Sequence, residues 1–215
     1  MIFLARHAET TWNLEGRYQG RRESPLSGLG VRQGAALAEY FYGRLLRGDS
    51  IPARVISSPL SRCVATADFT GSRLSLPVET DPLLIEIAHG TWEGRLRDEL
   101  AANDSERYRA WREDPSLVAF DGGEKLGDVI ARWQAFEPVL HAMAGKDVLV
   151  VTHDAVIRVA LLAASGRDLT EFWHANVENA AYALLASDGE RLSVLEECVT
   201  SHLTGVRAAT AGQAL

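Results

Sequence analysis

The chain is predicted to fold as a three-layer α/β/α domain with a mostly parallel central sheet. Short apolar runs that are typical of buried strands alternate with longer segments of helical periodicity. Such alternation is typical of parallel sheets with helices on their faces. The clearest strand, residues 147–152 (DVLVVT), is almost wholly apolar. A strand of this composition is buried on both faces, which indicates that helices cover the sheet on both sides.

The first half of the chain supplies strands and helices in turn. Residues 2–5 are an apolar run and are predicted to be a buried strand. Residues 7–26 are polar, and a loop of this length in a compact domain is usually functional. Ser27 caps a helix whose apolar residues recur at helical spacing until Gly48 ends it. Further elements are predicted at residues 54–56 (strand), 61–69 (helix) and 77–79 (strand).

The second half continues the same pattern. Residues 86–122 are mixed in character, with a helix predicted at residues 105–112. A long helix is predicted over residues 126–143, in which Pro138 should kink or restart the helix. The remaining elements are a strand at residues 147–152, a helix at 155–164, and a hairpin of strands at 182–185 and 192–195. Residues 1–203 are predicted to be one domain, and residues 204–215 a tail that is a candidate for disorder.

The composition bounds the kind of partner that the protein can have. The chain has 215 residues, with 22 Lys and Arg against 29 Asp and Glu, so its formal net charge is −7. An acidic chain is not expected to bind nucleic acid in general, because that affinity rests on a basic face. A few arginines can still make a local positive pocket for a small anionic substrate.

The cysteines and the apolar runs bear on the compartment. Cys63 and Cys198 lie far apart, and no CxxC or Cys/His ligand spacing is present, so neither a zinc site nor a disulfide framework is expected. A reduced, cytoplasmic protein is predicted. The apolar start is too short for a signal peptide, and residues 159–164 are too few to span a membrane. The oligomeric state is left open, a homodimer included.

Four basic side chains are placed at the ends of predicted strands. Arg6 and His7 follow the first strand, and His153 follows the strand at residues 147–152. Arg62 opens the helix after the second strand. Because ligands bind at the carboxyl ends of strands in open α/β sheets, these side chains are expected to share one crevice. Arginine grips phosphate oxygens with two donors, and a neutral imidazole is a competent nucleophile. The pattern therefore predicts a phosphate pocket with a covalent option and no need for a metal ion or another cofactor.

Four motifs in order along the chain resemble the histidine phosphatase superfamily, the phosphoglycerate mutase-like group. They are residues 6–13 (RHAETTWN) with 16–20 (GRYQG) and 24–27 (SPLS), residues 57–62 (SSPLSR) with 66–67, residues 84–94 (LIEIAHGTWEG), and residues 152–158 (THDAVIR). They cover residues 2–158, and weaker similarity continues to about residue 203. The resemblance implies a phosphoglycerate mutase-like fold and a single histidine phosphatase domain over residues 1–203.

The resemblance also implies catalytic roles. His7 would be the nucleophile that takes the phosphoryl group, and Glu86 would protonate the leaving alkoxide and then activate water. Arg6, Arg62 and His153 would hold the phosphoryl oxygens. The side chains or backbone implied to contact the substrate are those of Asn13, Gln19, Gly20, His89, Asp154, His202 and Leu203.

Two positions depart from the family pattern. Ala8 stands where glycine is most frequent, which raises the question of backbone geometry after His7. Asp154 stands where glycine is common after the second histidine, and a carboxylate that faced phosphate would repel it. We expect the Asp154 side chain to cap the helix that begins at Ala155, leaving the backbone N–H for phosphate.

The short segment after Glu86 resembles the phosphatase branch of the family rather than its mutases. Three features are most similar to the metal-independent phosphoserine phosphatases: the spacing of residues 86–90, the turn at residues 120–124, and the near-terminal residues 201–203 (SHL). The substrate implied is a small phosphorylated metabolite, L-phosphoserine first. The alternatives are a cofactor-dependent phosphoglycerate mutase, an alpha-ribazole or sugar-phosphate phosphatase, and a non-catalytic phosphate-binding regulatory module. The presence of His7, Glu86 and Arg62 argues against the last.

Overall fold

In the computed structural model, which describes residues 1–208, six strands form a single sheet. They are β1 (Ile2–Arg6), β2 (Arg54–Ser57), β3 (Val78–Thr80), β4 (Val148–Thr152), β5 (Tyr182–Ser187) and β6 (Leu192–Val199). Their order in space is β3-β2-β4-β1-β5-β6. The first four strands of this order run parallel, whereas β5 and β6 are antiparallel at one edge. The predicted mostly parallel sheet is confirmed.

Seven α-helices accompany the sheet in this part of the chain. They are α1 (Thr11–Glu15), α2 (Gly28–Arg47), α3 (Ser61–Leu74), α4 (Arg97–Asn103), α5 (Ser105–Glu113), α6 (Leu126–His141) and α7 (Asp154–Ser165). Helix α2 begins and ends where the sequence predicts. The Ser27 side chain accepts a hydrogen bond from the backbone N–H of Gly30, and Gly48 ends the helix with a left-handed φ of 75°.

Alternate side chains of the central strands enter two different cores. Along β1, Ile2 and Leu4 pack into the larger core with α6 and α7. Phe3 and Ala5 pack on the opposite face with α2 and α3. Strand β4 shows the same alternation, which follows from the two-residue period of a strand. The sheet is therefore the middle of three layers, as the apolar strand at residues 147–152 indicates.

Three elements differ from the prediction. The polar segment predicted to be a loop contains α1, which Thr10 caps and Gly16 ends with a left-handed φ of 71°; a five-residue helix is too short to show a periodic pattern. Two helices, α4 and α5, lie in the mixed region where one was expected. Pro138 lies inside α6, which continues to His141 as one helix.

The first residues of the predicted tail make specific contacts. The Val206 carbonyl accepts a hydrogen bond from Gln33 Nε2 at 3.0 Å, and Arg207 forms an ion pair with Glu178. The rest of the tail, residues 209–215, lies outside the described residues. No helix of residues 1–208 is both long enough and apolar enough to cross a membrane.

Candidate active site

The sheet order brings the predicted strand-end residues together. Strand β4 lies between β2 and β1, so the carboxyl ends of these three parallel strands are adjacent. The backbone N–H of His7 donates to the carbonyl of Thr152 at 2.9 Å, and His153 follows directly. The rings of His7 and His153 are 5.4 Å apart between centroids. Arg62, in the first turn of α3, reaches His153 Nδ1 at 3.2 Å.

The imidazole of His7 is oriented by the backbone that follows it. Its Nδ1 lies 2.8 Å from the carbonyl oxygen of Ala8. A carbonyl oxygen can only accept, so Nδ1 carries the proton and donates it. Burial, with the charges of Arg62 and Arg6, lowers the pKa of His7 well below its ordinary value. The ring is therefore neutral near pH 7, and its Nε2 keeps the lone pair that a nucleophile requires.

His153 is also neutral, and its tautomer follows from its partners. Its Nδ1 faces the Arg62 guanidinium, which can only donate. The proton of the neutral ring is therefore on Nε2, which lies 2.7 Å from Ser58 Oγ. Burial and the charge of Arg62 lower the pKa of His153 well below its ordinary value. The one N–H group of this neutral ring therefore donates to the Ser58 hydroxyl.

Glu86 is a buried carboxyl group beside this cationic site. The charges of Asp154, Arg62 and Arg6 are close enough to affect the pKa of its carboxyl group. Its Oε1 accepts a hydrogen bond from the backbone N–H of Ile87 at 2.9 Å. Burial raises the pKa of Glu86 to about 7, against the opposing effect of the Ile87 hydrogen bond. A carboxyl group with this pKa can donate a proton at neutral pH and take one back, as acid–base catalysis requires.

The Asp154 side chain does not cap a helix, so that expectation is wrong. The cap residue of α7 is His153, and Asp154 is the first residue within the helix. Its buried carboxylate instead joins two arginines. One oxygen lies 3.1 Å from Arg6 Nη1, and the other contacts Arg158 Nε. The negative charge of Asp154 is therefore paired with Arg6 and Arg158. Both guanidiniums need a counter-charge because they are buried.

We expect Asp154→Asn to destabilise the fold, because it leaves two buried guanidiniums without their shared carboxylate. Removing one partner of a buried ion pair costs about 3–5 kcal/mol. Urea denaturation measures the change. The matched control is Asp98→Asn, whose partner Arg97 lies on the surface, and which should change the free energy of unfolding by less than about 0.5 kcal/mol. Equal, small changes in both variants would contradict this role for Asp154.

Three buried nitrogen atoms at the site find no hydrogen-bond partner among residues 1–208. They are Arg6 Nε, Arg62 Nε and Asn13 Nδ2. The Asn13 amide is oriented through its oxygen, which accepts from the backbone N–H of Thr10 at 3.1 Å. Unsatisfied buried donors cost free energy. These three N–H groups are therefore suited to the oxygen atoms of a bound anion.

The loop after α1 approaches Arg62 closely at Gly20. The Gly20 carbonyl accepts from Arg62 Nη2 at 2.7 Å, and the Arg22 carbonyl accepts from Nη1 at 3.0 Å. Gly20 has a left-handed φ of 51°, and a Cβ atom there would lie 2.1 Å from Glu93 Oε1. Only glycine fits both conditions. Gln19 is buried beside it, and the loop holds Arg62 through the two carbonyl groups.

The surroundings of His89 differ from those expected of a residue that contacts the substrate. The ring is fully buried and packs edge-on against Tyr18, Trp111 and Phe120. Neither ring nitrogen has a hydrogen-bond partner within the described chain. Burial lowers the pKa of His89 to about 3. His89 is therefore neutral near pH 7, and a contact with substrate from this ring would use a neutral N–H.

His202 and Leu203, which the resemblance implies contact the substrate, are engaged in contacts within the protein. His202 Nε2 lies 2.8 Å from the Ala180 carbonyl oxygen, and the ring stacks on Tyr182. Leu203 is fully buried in a small cluster with Ala8 and Ala180. The two residues therefore support the backbone next to His7, since the Ala180 N–H donates to the His7 carbonyl.

Ala8 needs no glycine-like backbone. Its φ is not in the left-handed region, and its N–H donates to Thr66 Oγ1 at 2.9 Å. Alanine therefore fits this position without backbone strain.

Asn179 also lies at the site, although no motif in the sequence points to it. Its Nδ2 donates to the His7 carbonyl at 3.1 Å, and Asn13 Oδ1 lies 3.4 Å away. Residues that precede β5 lie at the carboxyl end of β1, because the two strands are antiparallel. The sequence could have indicated Asn179 in one way: it is a polar residue shortly before β5, which is antiparallel to β1.

No group of three His, Cys, Asp or Glu side chains that could hold a metal ion is found within residues 1–208. The positive charge of the site comes instead from Arg6 and Arg62. Such side chains can neutralise the charge of a transferring phosphoryl group, as a metal ion does elsewhere.

Comparison with known proteins agrees with this geometry. A family model described as histidine phosphatase superfamily (branch 1) matches residues 2–199. Phosphoserine phosphatase 1 of Hydrogenobacter thermophilus is 36% identical over 203 residues, 94% of this chain and 93% of that protein. Adenosylcobalamin/alpha-ribazole phosphatase of Escherichia coli is 30% identical, over 86% of this chain and 88% of its own. The solved structure of Bacillus stearothermophilus YhfR matches with a TM-score of 0.85 at 28% identity, covering 94% of this chain and 98% of that one.

The resemblance found in the motifs, the phosphoglycerate mutase-like fold and the predicted phosphatase activity are all confirmed by these matches. The chain belongs to branch 1 of the histidine phosphatase superfamily and is a phosphatase of that family.

Proposed function

We propose that the chain hydrolyses L-phosphoserine through a phosphohistidine on His7. The observation that carries this proposal is the orientation of the His7 ring. The Ala8 carbonyl holds the proton on Nδ1, and burial keeps the ring neutral. Nε2 is then a nucleophile beside two arginines with unsatisfied N–H groups.

The first step forms the phosphohistidine. His7 Nε2 attacks phosphorus, the bond between phosphorus and the ester oxygen breaks, and Glu86 gives its proton to the departing alkoxide. Arg6 and Arg62 stabilise the charge on the transferring phosphoryl group. Serine leaves, and Glu86 is left as a carboxylate.

The second step reverses the role of Glu86. The carboxylate takes a proton from water while the water oxygen attacks phosphorus and the P–N bond breaks. Inorganic phosphate leaves, His7 is again neutral, and Glu86 is again protonated. The pKa of about 7 suits both directions of transfer near neutral pH.

The choice of substrate rests on two observations. The relative that matches nearly the whole chain at 36% identity is named a phosphoserine phosphatase. In addition, an opening of about 450 Å³ next to the Glu86 segment is lined by Arg22, Glu93 and Asp121 among others. Cationic and anionic side chains border the same space, which suits a leaving group that carries both a carboxylate and an ammonium group.

A panel of phosphomonoesters tests the substrate. We expect kcat/KM for L-phosphoserine to exceed that for alpha-ribazole phosphate and for 3-phosphoglycerate by at least about tenfold, or 1.4 kcal/mol of transition-state binding. The assays contain EDTA, because the proposed chemistry uses no metal ion. A higher kcat/KM for alpha-ribazole phosphate would contradict L-phosphoserine as the substrate and indicate alpha-ribazole phosphate. Activity that requires added Mg²⁺ would contradict the mechanism.

A further inference from the structure

The segment that carries Glu86 is irregular and is held by side chains from elsewhere. It runs from a short turn of 3₁₀ helix at Pro82–Leu84 to another at Gly90–Trp92. Arg132 Nη1 donates to the carbonyls of Leu83 and Ile85, at 2.9 and 2.6 Å. Arg21 Nε donates to the carbonyl of Glu86 itself, at 3.2 Å. Two arginines from different parts of the chain thus fix three carbonyl groups around the proton donor.

One carboxylate joins these two arginines. Glu124 Oε1 lies 2.6 Å from Arg21 Nη2, and Oε2 lies 3.2 Å from Arg132 Nη2. Oε2 also accepts from the backbone N–H of Ala88 at 3.0 Å, and the Glu124 N–H donates to the Ala88 carbonyl at 2.8 Å. The side chains of Glu124 and Arg132 are each only 16% exposed, so solvent screens this network less than a surface ion pair.

We propose that Glu124 is a positioning residue for the proton donor: through Arg21, Arg132 and Ala88 it holds the segment of residues 83–88 so that the Glu86 carboxyl group meets the leaving oxygen. The proposal rests on the role of Glu86 in the proposed function. A misplacement of about 1 Å at a reacting group can cost about 10²-fold in rate. Glu124 touches no reacting atom, so its effect must be carried by Glu86.

The test compares leaving groups. p-Nitrophenolate departs readily without a proton, whereas the serine alkoxide needs one. We expect Glu124→Gln to lower kcat/KM for phosphoserine by about 10- to 100-fold and for p-nitrophenyl phosphate by less than about threefold. The descending limb of the pH profile for phosphoserine should also move to lower pH, because a loosened segment admits water to Glu86. The matched control is Glu99→Gln, at a surface pair with Arg95. It should leave kcat/KM unchanged for both substrates.

Equal losses for the two substrates, with the pH limb unmoved, would show a structural role and overturn the proposal, and so would no loss at all. If Glu124→Gln does not fold, Arg132→Lys replaces it, because lysine keeps the charge but cannot hold Glu124 and the Leu83 and Ile85 carbonyls together, and the same substrate ratio is expected. Glu86→Gln is run in parallel. If Glu86→Gln shows no dependence on the leaving group, the proposed function fails; if only Glu124→Gln lacks it, this inference alone fails.

Discussion

His7→Ala should abolish turnover, with kcat falling by more than about 10³-fold. Loss of a single electrostatic donor typically costs about 10²–10³-fold, but this substitution also removes the atom that takes the phosphoryl group. The hydrogen bond from Nδ1 to Ala8 is lost with it. Arg6 and Arg62 remain to bind phosphate, so KM or the affinity for inorganic phosphate should change far less than kcat.

Trapping the intermediate checks the same prediction. Turnover of a substrate labelled in its phosphate, quenched in alkali, should leave label on the wild-type protein that acid releases, as a phosphoramidate does. His7→Ala should retain none. His174→Ala, at an exposed histidine, is the control and should keep both label and rate. A rate in His7→Ala close to that of the wild type would exclude His7 as the nucleophile.

Glu86→Gln is expected to lower kcat/KM for phosphoserine by about 10²–10⁴-fold, the usual contribution of a positioned proton donor. The amide has nearly the same shape and can keep the contact with the Ile87 N–H through its oxygen. It has no proton to give to an alkoxide. With p-nitrophenyl phosphate the loss should be much smaller, and equal losses for both substrates would refute proton donation by Glu86.

The pH dependence gives a second, independent check on Glu86. The wild-type kcat/KM should decline as pH rises through about 7, where Glu86 loses its proton, and Glu86→Gln should lack this limb. Stability should change in a related way. The folded pKa of about 7 lies above the unfolded value of about 4.3, so the contribution of this group to stability is lost as pH rises through 7. Glu86→Gln should therefore gain stability relative to the wild type between about pH 5 and pH 8, as measured by thermal unfolding.

The parts of the site that could be predicted are those that follow from strand ends. Arg6 is the last residue of β1, His7 follows it, and His153 follows β4. In a parallel sheet these positions lie side by side wherever the two strands are neighbours. The apolar run at residues 147–152 indicated a central strand, and β4 does lie beside β1. The helical spacing of Val31, Ala38, Phe41 and Leu45 likewise predicted α2. Only part of that stripe faces the core, because Ala38 and Phe41 are buried whereas Val31 and Leu45 are exposed.

The parts that could not be predicted depend on contacts between side chains distant in sequence. The position of Asp154 after His153 is consistent with a helix cap, and only the packed structure shows that Arg6 and Arg158 claim its carboxylate. His202 and Leu203 lie far along the chain, and no pattern in the sequence indicates that they pack beneath Ala8 and Ala180. Local chemistry indicates what a side chain can do, whereas tertiary packing decides which partner it meets.

The placement of β1 in the sheet has a consequence for the order of folding. This strand pairs with β4, about 146 residues later, and with β5, later still. Contacts of such separation form slowly, since a large loop must close before they contribute. At a synthesis rate of roughly 5–20 residues per second, β4 is made on the order of ten seconds after β1. His7 is therefore made well before the strands that complete its site, and we expect a nascent chain that lacks β4 and β5 to have no phosphatase activity.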